Sequence, residues 1–264
     1  MATYQSKFRI KGTLDNMEFY HPSGAKPSVR AASKKGITKA QFASNPVFDE
    51  IKKHNTDFGQ AVKKARSFRM LVKPLFDRAK DLGFAGRANA LLYDIIASDT
   101  ENERGKKRAE IGWQNPEVHK FPLGFEGNTT RPLKKVVHTK FKWDIKTHTL
   151  EMEINHPETD FDWPEKATHL HLAIAVSDWN LAAGSWETCY SEEITIEKTE
   201  KPQKITLTAE SPESQNWVFG WIFIGFSEKT RRALKPLKRS YNTLSLYKVY
   251  PKTKTKDYSL RTIH

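Results

Sequence analysis

The chain has 264 residues, 38% of them hydrophobic and 28% charged, and its 44 Lys and Arg against 31 Asp and Glu give a formal net charge of +13. No run approaches the roughly 18 apolar residues of a membrane span, the polar, basic residues 1–11 do not read as a secretory signal, and a lone cysteine, Cys189, excludes an internal disulfide and multi-cysteine metal motifs. The expectation is a basic, cytoplasmic protein of one large domain or two small ones.

Residues 1–44 read as an N-terminal arm and hairpin. Residues 7–10 alternate, residues 14–17 form a turn, residues 18–20 return as a strand, and His21-Pro22-Ser23-Gly24 breaks it before a basic loop over residues 30–39. Residues 45–110 read as a basic helical region. Asn45-Pro46 pairs an N-cap with a proline at the first helical position, with Asp49 and Glu50 in the first turn. Phe58, Ala61, Val62, Ala65, Phe68, Val72, Leu75, Phe76, Ala79 and Leu82 then recur at a 3.6-residue spacing, which Pro74 should divide near residues 72–73. A second helix over residues 87–97 places Ala88, Leu91, Leu92, Ile95 and Ile96 on one face, so a helical hairpin is expected.

Residues 111–135, with Pro116, Pro122, Gly124, Gly127 and Pro132, read as a linker. From residue 136 to 264 the period changes to two. Val137, Thr139, Phe141, Trp143 and Ile145 alternate with polar residues, and Leu150, Met152 and Ile154 do so beyond a turn at residues 146–148. Further strands are expected at residues 170–176, 194–196, 205–207, 217–226 and 244–249, the stretch 217–226 being central because it is apolar on both faces. The predicted fold class is α+β: an N-terminal arm and helical hairpin followed by a C-terminal antiparallel β-sandwich with a basic end.

The charge is unevenly distributed. Residues 1–110 carry 22 basic and 12 acidic side chains, residues 141–226 carry 6 and 15, and residues 227–264 carry 11 and 2. An acidic block therefore lies between basic ones, an arrangement suited to partners of opposite sign, including a second copy of the chain.

Gly12-Thr13-Leu14-Asp15-Asn16-Met17-Glu18-Phe19-Tyr20, then Asn45-Pro46-Val47-Phe48, Asn55, Asp57-Phe58-Gly59 and Ala61, and finally residues 241–249 (YNTLSLYKV), together resemble an uncharacterised family of Bacteroidota proteins. That resemblance implies an N-terminal hairpin with basic helices and a C-terminal β-sandwich, and it implies no activity.

The sequence has no phosphate-binding glycine loop, dinucleotide fingerprint, nucleophile elbow or H-E-x-x-H motif, so no enzyme and no cofactor are expected. His169 and His171, two apart on a strand, share a face as a metal pair would, or as two outward histidines on a solvated strand. Asp160, Asp162 and Glu165 read as an exposed acidic turn, and Cys189 as a buried, inert thiol. The informative residues are the basic clusters: Lys34, Lys35 and Lys39; Lys63, Lys64 and Arg66; Arg104, Lys106, Lys107 and Arg108; and Arg231, Arg232, Lys235, Lys238 and Arg239. Converging cations bind phosphate backbones by releasing counterions, and the last cluster would share one face if helical, anchored by Leu234 and Leu237. Trp113, Tyr241 and Tyr247 lie near these clusters and suit stacking on bases.

Two functions follow as expectations. One is a non-enzymatic basic protein that contacts nucleic acid or another polyanion through helices and arms. The other is a self-assembling subunit of a filament, sheath or particle, in which the N-terminal arm and the basic and acidic blocks join neighbouring copies.

Overall fold

Apolar residues at helical spacing and at alternate strand positions divide the chain into helices and antiparallel sheets, an α+β fold, in the computed structural model, which describes residues 2–3, 10–21, 26–31, 36–213 and 217–251. The expected strand at residues 7–10 apart from Ile10, the break at residues 22–24, and Lys34 and Lys35 lie outside the described residues. Contacts divide the chain into two units, Met1–Ile51 and Lys52–His264.

In the first unit, β1 (Ala2–Thr3), β2 (Gly12–Leu14), β3 (Met17–Tyr20) and β4 (Ser28–Ala31) form an antiparallel sheet in the order β1-β4-β3-β2. The expected turn joins β2 to β3, with Asp15 in the left-handed region at φ +50°, a conformation that Asp tolerates better than most residues. Helix α1 (Lys39–Ser44) starts in a capping box: Thr38 Oγ1 accepts from the Gln41 amide at 3.2 Å, and Gln41 Oε1 accepts from the Thr38 amide at 3.0 Å. Asn45 does cap, its Oδ1 accepting from the Val47 amide at 3.0 Å, but it caps a 3₁₀ turn, Pro46–Phe48, ahead of the long helix.

In the second unit, α2 (Asp49–Met70, begun in the first) ends before Pro74, and α3 (Lys73–Arg78) carries that proline in its first turn, where no amide donor is needed. Helix α4 (Phe84–Ala97) begins three residues before the expected position, because buried Phe84 packs on Phe76 with ring centroids 4.4 Å apart. Most of the helical stripe is buried from Ala61 to Ala79, but its ends are not: Phe58 is 43% and Leu82 77% exposed. The residues read as a linker hold α5 (Ala109–Gly112), a 3₁₀ turn (Pro116–Lys120) and α6 (Leu133–Val136), and they bury Trp113, Val118 and Leu133.

The strands β5 (Phe141–Asp144), β6 (Thr149–Ile154), β7 (His169–Trp179), β8 (Trp186–Tyr190), β9 (Ile194–Glu197), β10 (Gln203–Thr208), β11 (Trp217–Lys229), β12 (Leu234–Pro236) and β13 (Thr243–Pro251) make two antiparallel sheets; a short helix, α7 (Pro157–Asp160), lies between β6 and β7. The smaller has the order β10-β6-β5. In the larger, β11 pairs from Trp217 to Ser227 with the whole of β7, β12 and β13 succeed one another along the other side of β11, and β9 and β8 do so along the outer side of β7. As the unbroken apolar run predicts, β11 is central and buried on both faces. Phe219, Trp221 and Phe223 join the helices in one core, where Phe68 lies 5.7 Å from Trp221 and 5.9 Å from Trp179. Val218, Ile222, Ile224 and Phe226 join Leu150, Met152, Ile205 and Leu207 of the smaller sheet in the other. Among the described residues, no helix is long and apolar enough to cross a membrane.

Candidate polyanion-binding site

Two basic clusters that are distant in sequence meet in the second unit. A cavity of about 440 Å³ lies between α2 and the loop ahead of α5, and it is lined by Lys64, Lys106, Lys107 and Arg108, with Gln60 and Asn102 on its wall. Ile96 contributes apolar surface, and Glu110 is the acidic residue among the lining groups.

Two buried carboxylates hold the basic loop in place, and neither belongs to the clusters read from the sequence. Asp57, on the inner face of α2, is 3% exposed; its oxygens accept from the amides of Gly105 at 2.8 Å and Lys107 at 3.2 Å. Asp99, just past the end of α4, is 0% exposed and accepts from the amides of Glu101, Asn102 and Arg108 and from the Asn102 side chain, at 2.8–3.0 Å. Burial pushes the Asp99 carboxyl up, but these four bonds hold it below its ordinary range, so it stays ionised. The loop is thereby tied at five backbone amides while Lys106 and Arg108 face outward.

The cations fall into two kinds. Lys107 Nζ donates to the carbonyls of Ala97 at 2.8 Å and Asp99 at 2.7 Å, at the negative end of α4. Lys64 Nζ donates to the carbonyls of Leu181 and, at 3.2 Å, Ala182, with Glu110 at 3.8 Å. These two are fixed charges. Lys106 has only Glu103 at 3.9 Å, and Arg108 makes no ion pair among the described residues. Both are exposed and available to a ligand.

The other predicted residues are elsewhere. At 100° per residue, Lys63 and Arg66 point away from Lys64 onto the exposed outer side of α2. Arg104 is exposed on the loop but does not line the cavity, and Lys39 opens α1 in the first unit. The last cluster is not helical. Residues 229–234 turn a β-hairpin in which the Thr230 amide and hydroxyl donate to the Ala233 carbonyl, and β12 returns along β11 with Lys235 opposite Glu228. Arg231 and Arg232 form its exposed tip, Lys235 lies on β12, and Lys238 and Arg239 lead the following 3₁₀ turn. The cavity is near the Trp217 end of β11, since Leu181 follows Trp179, the partner of Trp217. The hairpin tip is at the far end of the 13-residue strand, about 40 Å away at ~3.3 Å per residue.

Several other expectations are corrected. Trp113 is buried edge-on to Trp217 at 5.2 Å and is not free to stack on a base; Tyr247 packs on Phe141 at 5.0 Å, and only Tyr241 of the three is exposed. The residues 160–165 do not form a free acidic turn: Asp162 pairs with Arg131, Asp160 accepts from the Asn155 and His156 amides, and Phe161 is buried. Cys189 is half-buried.

His169 and His171 are not outward residues on a solvated strand, because both faces of β7 are covered. His169 bonds Thr168 Oγ1 at 2.9 Å. His171 Nε2 lies 2.7 Å from Ser227 Oγ, its Nδ1 lies 3.3 Å from Glu193, and Arg78 holds Glu193 through two bonds at 2.6 and 3.0 Å. The sequence offered no sign of this Ser–His–Glu–Arg cluster. Its serine is 0% exposed, so no substrate atom can approach the hydroxyl, and burial holds the His171 imidazole below its ordinary pKa despite Glu193. The cluster fastens α3 to the sheet.

Comparison with protein-family models, with curated proteins and with solved structures finds no match to this chain.

Proposed function

We propose that this chain is a non-enzymatic polyanion-binding protein that holds nucleic acid at the cavity between α2 and the 101–110 loop, with its paired sheets, read as a sandwich, as the scaffold. The observation that carries this reading is the convergence of Lys64 with Lys106, Lys107 and Arg108 on one cavity, although the sequence separates them by an entire helical hairpin. Two of the charges need no search for position, because helix-end carbonyls hold Lys107, the Leu181 and Ala182 carbonyls hold Lys64, and buried carboxylates fix the loop. Fixed cations bind anions with less ordering cost than mobile ones.

The test is fluorescence anisotropy with single-stranded DNA and RNA over a salt series. Four engaged cations imply a slope of log K against log salt of about −3. Charge reversal at Lys106→Glu and Arg108→Glu should weaken binding at least tenfold and flatten that slope, while Arg231→Glu and Arg232→Glu, at the opposite end of the sheet, should act separately. Salt-independent binding, or no effect of the first pair, would overturn the reading.

A second reading, self-assembly, is favoured by a different observation. The register of the N-terminal sheet places Leu14, Met17, Phe19, Val29 and Ala31 on one face, and Leu14 is 61% exposed. Light scattering without nucleic acid decides it: particles or filaments support assembly, and a monomer at high concentration excludes it.

A further inference from the structure

We propose that the cavity seats a terminal phosphate of a nucleic-acid strand, a phosphomonoester, rather than the internal phosphodiesters of its backbone. This rests on the polyanion reading above. The first reason is shape. A volume of about 440 Å³ falls in the ~300–1,000 Å³ range of sites that enclose a small molecule, and it suits one nucleotide unit at a chain end.

The second reason is charge density. A phosphomonoester carries about −1.5 to −2 near pH 7 with three terminal acceptor oxygens, whereas a diester carries a single charge. Four cations around one cavity match the former. Lys64 and Lys107, anchored on backbone carbonyls, supply a fixed positive wall. Arg108, without an ion pair among the described residues, and Lys106, with only a distant one, are free to close on the oxygens, Arg108 in the bidentate manner that favours phosphate.

The third reason is continuity. Lys63 and Arg66 lie exposed on the outer side of α2, turned away from the cavity by the helix, without ion pairs among the described residues. They would follow the diesters of a strand whose end is seated and which passes over α2, while on the wall Gln60 offers an amide donor and acceptor, and Asn102, whose Nδ2 already donates to Asp99, an acceptor, to the terminal sugar and base. A phosphorylated peptide would satisfy the cavity but would leave the outer cations unused.

The experiment compares a short fluorescent single strand ending in a phosphate with the same strand ending in a hydroxyl, the latter extended by two nucleotides so that the net charges match, at equal salt. A nucleoside monophosphate, inorganic phosphate and a phosphoserine peptide serve as competitors. The terminal phosphate should tighten binding about tenfold, as one or two charge-assisted hydrogen bonds would, and the mononucleotide should compete better than inorganic phosphate. Lys106→Ala and Arg108→Ala, both at exposed positions, should reduce the preference to less than about twofold with an unchanged circular dichroism spectrum. Equal, salt-steep binding of the two strands overturns the terminal-phosphate seat and leaves the polyanion reading standing. Stronger competition by the phosphopeptide also overturns the seat. Failure of both strands to bind overturns the two together.

Discussion

The positions that decide the candidate site are two aspartates whose roles appear only after folding. Asp99 is wholly buried and receives three backbone amides and one side-chain amide. Replacing it with Ala leaves those donors unsatisfied, and each buried orphan costs about 1–3 kcal/mol. Asp99→Ala is therefore expected to destabilise the protein by roughly 3 kcal/mol or more in urea unfolding and to weaken polyanion binding with it; a loss below about 1 kcal/mol would mean that the loop is not held in this way. Glu126 is the opposite kind of residue. Its Oε1 accepts from the Leu133 amide at 3.2 Å and the Ser245 hydroxyl at 3.0 Å, but its Oε2 is buried without a partner. Burial pushes this carboxyl up to about 7, against those two bonds and the charges of Lys134 and Arg87. A carboxyl raised on folding contributes stability while protonated, and that contribution fades as pH rises from its unfolded value toward 7. The parent should lose on the order of 3 kcal/mol across this interval. Glu126→Gln should show a flatter profile between pH 5 and 8 and should exceed the parent at pH 8 in urea titrations. An unchanged pH profile would place the carboxylate in contact with water.

Among the elements, close approach between backbones separates glycines that are needed from glycines that are not. A Cβ on Gly112 would lie 2.0 Å from the Ile95 carbonyl oxygen, so α5 could no longer rest on α4, and the obstacle is backbone that cannot rotate away. Gly112→Ala should cost about 3 kcal/mol or more and disturb the loop that α5 ends. Gly86, inside α4, has open space around a new Cβ, and Gly86→Ala should raise stability by about 0.5–1 kcal/mol. Thermal and urea unfolding of the pair checks both signs. The α2–α3 division and the central strand β11 were legible in the sequence, because Pro74 cannot sit in a helix interior and because a strand apolar on both faces must be covered twice. The hairpin at residues 229–236 was not. Cations at positions 231, 235, 238 and 239 satisfy a helix wheel, yet the chain that precedes them is a strand already paired with β7, and Thr230 closes a tight turn back onto it.

At the scale of the molecule, the core belongs to the second unit. Among the described residues, no hydrophobic side chain before Ala61 is buried. A chain beginning at Asn45, which keeps the cap ahead of α2, should therefore unfold cooperatively with a midpoint within about 2–4 °C of the whole protein, the shift that ~1 kcal/mol produces at this size. It should also retain the salt-dependent binding assigned to the cavity. A molten or non-cooperative product would show that residues 1–44 contribute to the core after all.

The sequence by itself determined the alternation of basic and acidic blocks, the helical stripe from Ala61 to Ala79, and the antiparallel strands beyond residue 140. Each of these is a local property: periodicity reports which side of an element avoids water, and charge is counted residue by residue. Which cations stand together was decided only by tertiary structure. Lys64 meets Lys106, Lys107 and Arg108 because α2 and α4 pack side by side and Asp57 and Asp99 draw the intervening loop inward. Lys63, next in the chain to Lys64, faces away, and the Arg231 cluster lies at the other end of β11. Local pattern sets the face on which a charge lies; the packing of distant elements sets its neighbours, and an anion is bound by the neighbours.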